Sequence, residues 1–262
     1  MSDSQDDKAM PFWEHVGELR KRIVRSVIVL FALMIIGWIF REPLFDFLKI
    51  PFQPFLDTHK AKLIYTAPAE LFFTYFKISL LLAFVVGAPF FLYQVWGFIS
   101  PGLYEHEKRL VWPFVGCSTG LFLLGATFCF VVVLPFTFDF FITLAPADIE
   151  PQIKVADYFS FAITFVLVFG LLFETPLILV FLGRLGVISS KGMRKYRRYA
   201  ILGAFVIAAL ATPSPDAINQ ILLAVPLWGL YELSIFLIAR MEKKRLAMEE
   251  QEDGDNLPAT QD

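Results

Sequence analysis

Sulfur and imidazole are scarce in this chain, with two cysteines and three histidines in 262 residues. Cys117 and Cys129 lie 12 residues apart in one apolar run. They form no CxxC pair and read as small core residues. His15, His59 and His106 stand in different polar segments with no ligand spacing around them, so no metal site and no cofactor is expected. Phosphate-binding loops are missing too. GRLGVISSKG at 183–192 carries glycines without Walker spacing, and no GxGxxG occurs. Nucleotide hydrolysis is thereby excluded as an energy source. Neither HExxH nor GxSxG is present, which removes a protease reading. The chain is expected not to be an enzyme and to have no nucleic-acid partner.

Charge is sparse as well. Charged residues make up 18% of the chain, 57% is hydrophobic, 30 residues are Phe, and the mean hydropathy is +0.62. Soluble domains hold roughly 45–50% apolar residues, so an ordinary soluble fold is excluded. A spanning helix needs about 20 apolar residues. Six segments approach that length: 24–40, 71–96, 111–141, 158–182, 199–211 and 218–239. The sequence therefore predicts an all-α integral membrane protein with six transmembrane helices. The first run follows an acidic, helix-like stretch and precedes no small-residue cleavage site, so it reads as a retained span rather than a signal peptide. The fifth run has 13 residues and covers about 20 Å of a hydrocarbon core about 30 Å thick. The sixth is interrupted by Pro226 and Glu232. Two short neighbours imply local bilayer thinning; the alternative is a re-entrant hairpin joined at TPSPD (212–216).

Seventeen of the 23 Lys and Arg fall on the side of the N-terminus, five on the other, and Lys77 lies in or near the second run. That asymmetry predicts cytoplasmic N- and C-termini. No loop is long enough for a folded catalytic domain, so residues 1–245 read as a single six-helix membrane domain. The outer loops at 41–70 and 143–157 carry six prolines between them and are expected to form a rigid cap. The acidic tail, 246–262, is expected to be disordered.

A few charges call for a reason. In FISPGLYEHEKR at 98–109, Glu105 and Glu107 precede Lys108 and Arg109 in a short loop between two apolar runs. A carboxylate held there at fixed depth can bind a cationic partner. FWEHVGELRKRIVRSV at 12–27 reads as an amphipathic interfacial helix running into the first span, with Trp13, Val16, Leu19 and Ile23 as its apolar stripe. Glu14 and Glu18 are expected to face the cytoplasm, and Glu18 can pair with Arg22 at i,i+4. Glu174 lies ten residues before Arg184, about 15 Å from the inner edge at helical rise. Pro176 removes the backbone bond to the Leu172 carbonyl and kinks the helix there. Glu174 reads either as a functional group in a water-filled or protein-lined concavity, or as a neutral acid bonded to that freed carbonyl. Thr212, Asp216, Asn219 and Gln220 gather at an outer edge. Asp216 can cap the sixth helix, and the two amides can bond a polar group on a partner helix.

Four segments in order, HVGELRKR (15–22), YQVWGFISPGLYEHEKR (93–109), FGLLFETP (169–176) and TPSPD (212–216), resemble the signature segments of the TatC family, the multispanning subunit of the twin-arginine protein translocase. The resemblance covers nearly the whole chain apart from its first ten residues and the tail. It implies a concave, glove-like arrangement of six helices in the bacterial cytoplasmic (inner) membrane. It implies recognition of twin-arginine signal peptides of folded cargo by Glu18 and Glu107, with Arg20, Phe98 and Pro101 in the same site. It places Glu174 as the intramembrane glutamate, and Thr212, Asp216 and Gln220 in the region of contact with TatA- and TatB-type single-span subunits. Other copies of the chain and membrane lipid are the remaining partners implied. With no nucleotide motif, the energy would come from the proton gradient, about 2.3 kcal/mol per charge per 100 mV.

The chemistry suits such a role. Guanidinium and carboxylate pair in a planar fork that lysine cannot copy. One exposed pair is worth only about 0.2–1 kcal/mol, whereas two fixed carboxylates can read two arginines together. The rival expectations are a proton-coupled secondary transporter using Glu174, which predicts uptake by this chain alone, and a scaffold, which predicts tolerance of neutral residues at 18 and 107.

Overall fold

The computed structural model describes residues 12–59, 62–99, 111–143, 152–211 and 217–255. Five of its helical segments are long and apolar enough to cross a membrane: Trp13–Ile39, Glu70–Ile99, Trp112–Phe141, Val155–Arg184 and Gln220–Met248. The chain divides into two compact units at Leu171/Leu172.

In the first unit α1 (Phe12–Ile39) is one unbroken helix, so the amphipathic arm and the first span are continuous. The arm's apolar stripe, with Trp13, Val16, Leu19 and Ile23, is exposed and forms a face suited to lipid. α1 packs against α4 (Glu70–Ile99). The closest approach is at Gly37, where an added Cβ would lie 2.9 Å from both the Cα and the carbonyl oxygen of Ser79. Small residues that let two backbones meet are the usual basis of helix pairing in lipid, where no hydrophobic force separates helix from tail.

Between α1 and α4 the chain folds into α2 (Arg41–Lys49), a 3-10 turn (Ile50–Phe52) and α3 (Gln53–His59). Pro51 sits in the first turn of the 3-10 segment, where its missing N–H is no loss. Phe52 is fully buried and packs edge-to-face on Phe138 and at a tilt on Tyr158, with centroid distances of 5.1 and 4.9 Å. The buried Tyr158 hydroxyl donates to the Leu48 carbonyl at 2.6 Å. The segment between α1 and α4 is thus held by an aromatic core, which gives the prolines' stiffness a packing partner.

The expectation of an all-helical chain needs one correction. β1 (Lys62–Ile64) and β2 (Gln152–Lys154) pair in parallel, Leu63 opposite Ile153. Each strand has three residues, too short for alternation to register as a sequence signal. Glu70 clasps the ends of this pair. Its carboxylate accepts from Thr66 N (2.7 Å), Thr66 Oγ1 (3.2 Å) and Ala67 N (3.4 Å), and its other oxygen accepts from Ala156 N (3.0 Å) at the start of α7. One side chain therefore caps the entries of two helices 86 residues apart. Glu70→Ala is expected to leave the spans intact and to speed amide hydrogen exchange at 62–70 and 152–157 selectively. Equal exchange at these residues in the variant and the parent would remove the clasp.

α5 (Val111–Phe128) passes through a π-helical turn at Cys129–Val133 into α6 (Leu134–Thr143). Pro135 cannot donate to the carbonyl four residues earlier, and the widened turn accommodates it. Cys129 is buried as expected, but Cys117 is exposed on the α5 surface, a correction to the core reading; a thiol suits lipid as well as it suits a core. α7 (Val155–Leu172) completes the unit.

The second unit holds α8 (Thr175–Arg184), α9 (Ser190–Lys195), α10 (Arg197–Ala211) and α11 (Ala217–Asp255). α10 has 15 residues, matching the short fifth run. Ser189 caps α9, its hydroxyl accepting from Gly192 N at 3.1 Å. Glu232 pairs with Arg197 at 2.7 Å. Met193, Ile235 and Ile238 form a small core, and Tyr231 donates to the Met193 carbonyl at 2.9 Å. The tail expectation is corrected over 246–255, where α11 runs on to Asp255; residues 256–262 lie outside the described residues. Leu246, Ala247, Met248, Glu249, Glu250 and Gln251 are all strong helix formers, and continuation of an existing helix avoids the nucleation penalty.

Candidate functional site

The site starts from spacing. On α1, residues 18 and 22 are one turn apart on one face, and the Arg22 guanidinium donates to Glu18 Oε1 through both Nε (2.9 Å) and Nη2. The remaining nitrogen, Nη1, reaches across to α4, to the Gln94 carbonyl (3.4 Å) and Gln94 Oε1 (3.3 Å). Glu18 is thereby tied to α4 through Arg22, with 23% of its side-chain surface exposed. Its second oxygen, Oε2, is buried and has no hydrogen-bond partner among the described residues. An unmet carboxylate oxygen of this kind carries a penalty of about 1–3 kcal/mol or more. As a carboxylate oxygen, it can accept from a donor.

The guanidinium lies directly on Gly97, where an added Cβ would come within 2.4 Å of Nη1. One residue on, Phe98 stacks on His15 of α1, centroids 4.2 Å apart and planes 16° apart. Trp96 donates to Ser118 of α5 at 2.9 Å, which fixes this end of α4 from its other side. Next to Arg22 and Gln94, which line it, runs an apolar cavity of about 350 Å³ whose other lining residues include Leu19, Ile23, Val27, Phe84, Phe91 and Phe98; Glu18 reaches it through Arg22. A charged group at the rim of an apolar groove can hold a segment that is cationic at one end and apolar beyond.

Of the residues singled out from sequence, the structure gathers Glu18 and Phe98 at this site. Arg20 stands two residues from Glu18, about 200° round the helix. It is exposed with Lys21 and Arg25, so it is not brought to the carboxylate. Pro101 and Glu107 lie outside the described residues, as do Thr212 and Asp216. Gln220 donates to the Phe205 carbonyl at 3.0 Å, which ties α11 to α10. Glu174 is buried, 6% exposed, and occupies the N-cap position of α8 without a side-chain capping bond. The helix breaks between Leu172 and Thr175, as Pro176 requires. Two residues at this site were missed from sequence, Gln94 and Gly97; the pairing of Glu18 with Arg22 was read from spacing, but not the hold of Arg22 on α4. A glutamine 6% exposed inside an apolar run was the available signal. Among the described residues no three His, Cys, Asp or Glu side chains converge to hold a metal.

Known proteins resemble this chain along most of its length. The family model described as Sec-independent protein translocase protein (TatC) matches residues 14–226. The TatC protein of Desulforapulum autotrophicum is 41% identical over 97% of this chain and 93% of its own length. That of Escherichia coli K12 is 36% identical over 88% of each. A crystal structure described as the twin arginine translocase receptor TatC superposes with a TM-score of 0.77 at 38% identity, covering 86% of this chain and 98% of its own. The chain belongs to the TatC family: it is a multi-pass membrane component of the Sec-independent protein translocase, not an enzyme.

Proposed function

We propose that this chain is the receptor core of a twin-arginine translocase, a six-span protein with both termini in the cytoplasm that binds paired-arginine signal peptides of folded cargo. The observation that carries this reading is the half-satisfied Glu18 carboxylate. One oxygen is taken by a guanidinium inside the protein, and the other is buried without a partner among the described residues. The group is already arranged to accept arginine, and the apolar groove beside it suits the apolar stretch that follows a signal peptide's arginines. The segregation of Lys and Arg supports the orientation. The word receptor in the description of the similar crystal structure points the same way.

In this role Glu107 supplies the second carboxylate, with Phe98 and Pro101 at the entrance and Arg20 alongside. Glu174 serves within the membrane. TatA- and TatB-type single-span subunits pack near Thr212, Asp216 and Gln220 and, with further copies of this chain, complete a complex driven by the proton gradient.

The test is a photocrosslinker at Phe98 in the full chain, offered a signal peptide bearing Arg-Arg or Lys-Lys. The expected result is a crosslink that requires the arginines. Equal crosslinking of both peptides would mean that this end of α4 does not read the pair, and that Glu18 serves as a scaffold group only.

A further inference from the structure

The Arg22 side chain is not an incidental surface partner of Glu18. It is mostly enclosed, with 18% of its side-chain surface exposed against 23% for Glu18, and every nitrogen of its guanidinium is engaged. Nε and Nη2 converge on one carboxylate oxygen, and Nη1 is drawn back to Gln94. Gly97 provides the flat floor that brings the guanidinium against α4. Such a side chain is held from behind. It does not swing away to vacate Glu18, since that would strip three nitrogens of buried acceptors at once.

This has a geometric consequence for Glu18. A carboxylate oxygen offers two lone pairs, and both lone pairs of Oε1 are used by Arg22. The plane of the carboxylate is fixed by that fork, so the direction in which Oε2 points is fixed too. A second guanidinium can meet Oε2 with two nitrogens in the same end-on manner that Arg22 uses at Oε1. An ammonium has no planar fork to match.

We propose that Arg22, seated on Gln94 and Gly97, is a positioning residue. It pre-orients Glu18 so that Oε2 is presented to one arginine of a guest peptide, and it stays in place when the guest binds. The inference rests on the receptor reading above and adds to it the parts that set the preference for arginine. Pre-organisation of this kind raises affinity by removing the ordering that binding would otherwise impose.

The experiment measures binding of a fluorescent peptide, Arg-Arg followed by an apolar segment, and of its Lys-Lys counterpart, to the purified full-length protein in detergent. The variants are Arg22→Met and Gly97→Ala. The second acts from α4. The three atoms nearest its methyl group all belong to the Arg22 guanidinium and none to the backbone, so it pushes the guanidinium off its seat while the helices stay packed. Both variants are expected to weaken Arg-Arg binding roughly tenfold, the scale of a charge-assisted hydrogen bond, and to level the preference over Lys-Lys. A merely structural loss would lower both peptides equally and leave the ratio intact, which overturns the proposal. Tighter Arg-Arg binding by either variant also overturns it, because Arg22 would then be a competitor for Glu18. Absence of any arginine preference in the unaltered protein would instead bring down the receptor reading, and this inference with it.

Discussion

Gly37→Val is expected to separate α1 from α4 and to be the most destabilising single change in the first unit. The reason is what the new side chain meets. Its Cβ would fall 2.9 Å from the Cα and the carbonyl oxygen of Ser79, and backbone atoms cannot rotate aside as a side chain does. Ser79 is itself fully buried, its hydroxyl bonded to the Tyr75 carbonyl at 2.8 Å. Overpacking costs about 1–3 kcal/mol where side chains can adjust, and a collision with backbone belongs at or above the top of that range. α1 has little else to hold it, for only 6% of its most apolar stretch is buried. The matched control is Gly120→Val on α5, where an added Cβ meets nothing within 4 Å. Thermal unfolding of the two purified variants in the same detergent decides the matter. Gly37→Val should lose several degrees in Tm and much of its monodisperse yield, while Gly120→Val stays near the parent. Equal Tm values would mean that the seam is looser than its geometry.

The two kinds of feature in this prediction differ in how visible they were beforehand. The spans were legible because they rest on local composition: long apolar runs need only their own backbone hydrogen bonds to be satisfied in lipid. The break at Glu174 was legible because Pro176 acts within its own helix. The pairing of Glu18 with Arg22 was legible for the same reason, being a matter of i,i+4 spacing. What spacing does not carry is which face of α1 meets which face of α4. Gln94 lies 72 residues from Arg22, and Gly37 and Gly97 become special only once a second helix lies on them. The β1–β2 pair was hidden for a related reason, since its six residues pair across more than 80 positions and neither strand has a pattern of its own. The helical tail was misjudged by weighing charge and apolar content, which govern independent folding, over helix propensity, which governs the continuation of a helix already begun.

Glu18→Gln should abolish discrimination between arginine and lysine guests while leaving the fold in place. The amide is nearly the same shape as the carboxylate, and its oxygen can still accept from Arg22 Nε and Nη2. Its nitrogen then occupies the place of Oε2. Oε2, an acceptor with no partner among the described residues, is replaced by a pair of donors, set against an incoming guanidinium that offers only donors. The substitution therefore removes an attraction and adds a mismatch, and it should weaken binding more than Glu18→Ala, which removes the attraction alone. Loss of one partner from a buried, hydrogen-bonded charge pair costs about 2–5 kcal/mol, a decrease of some thirtyfold or more in affinity. Titration of the Arg-Arg peptide against the parent, the Gln variant and the Ala variant measures this order. If Gln binds as well as Glu, the charge of this carboxylate is not what the guest reads. If Ala is the weaker of the two, the guest meets Glu18 through shape and packing, and not through Oε2.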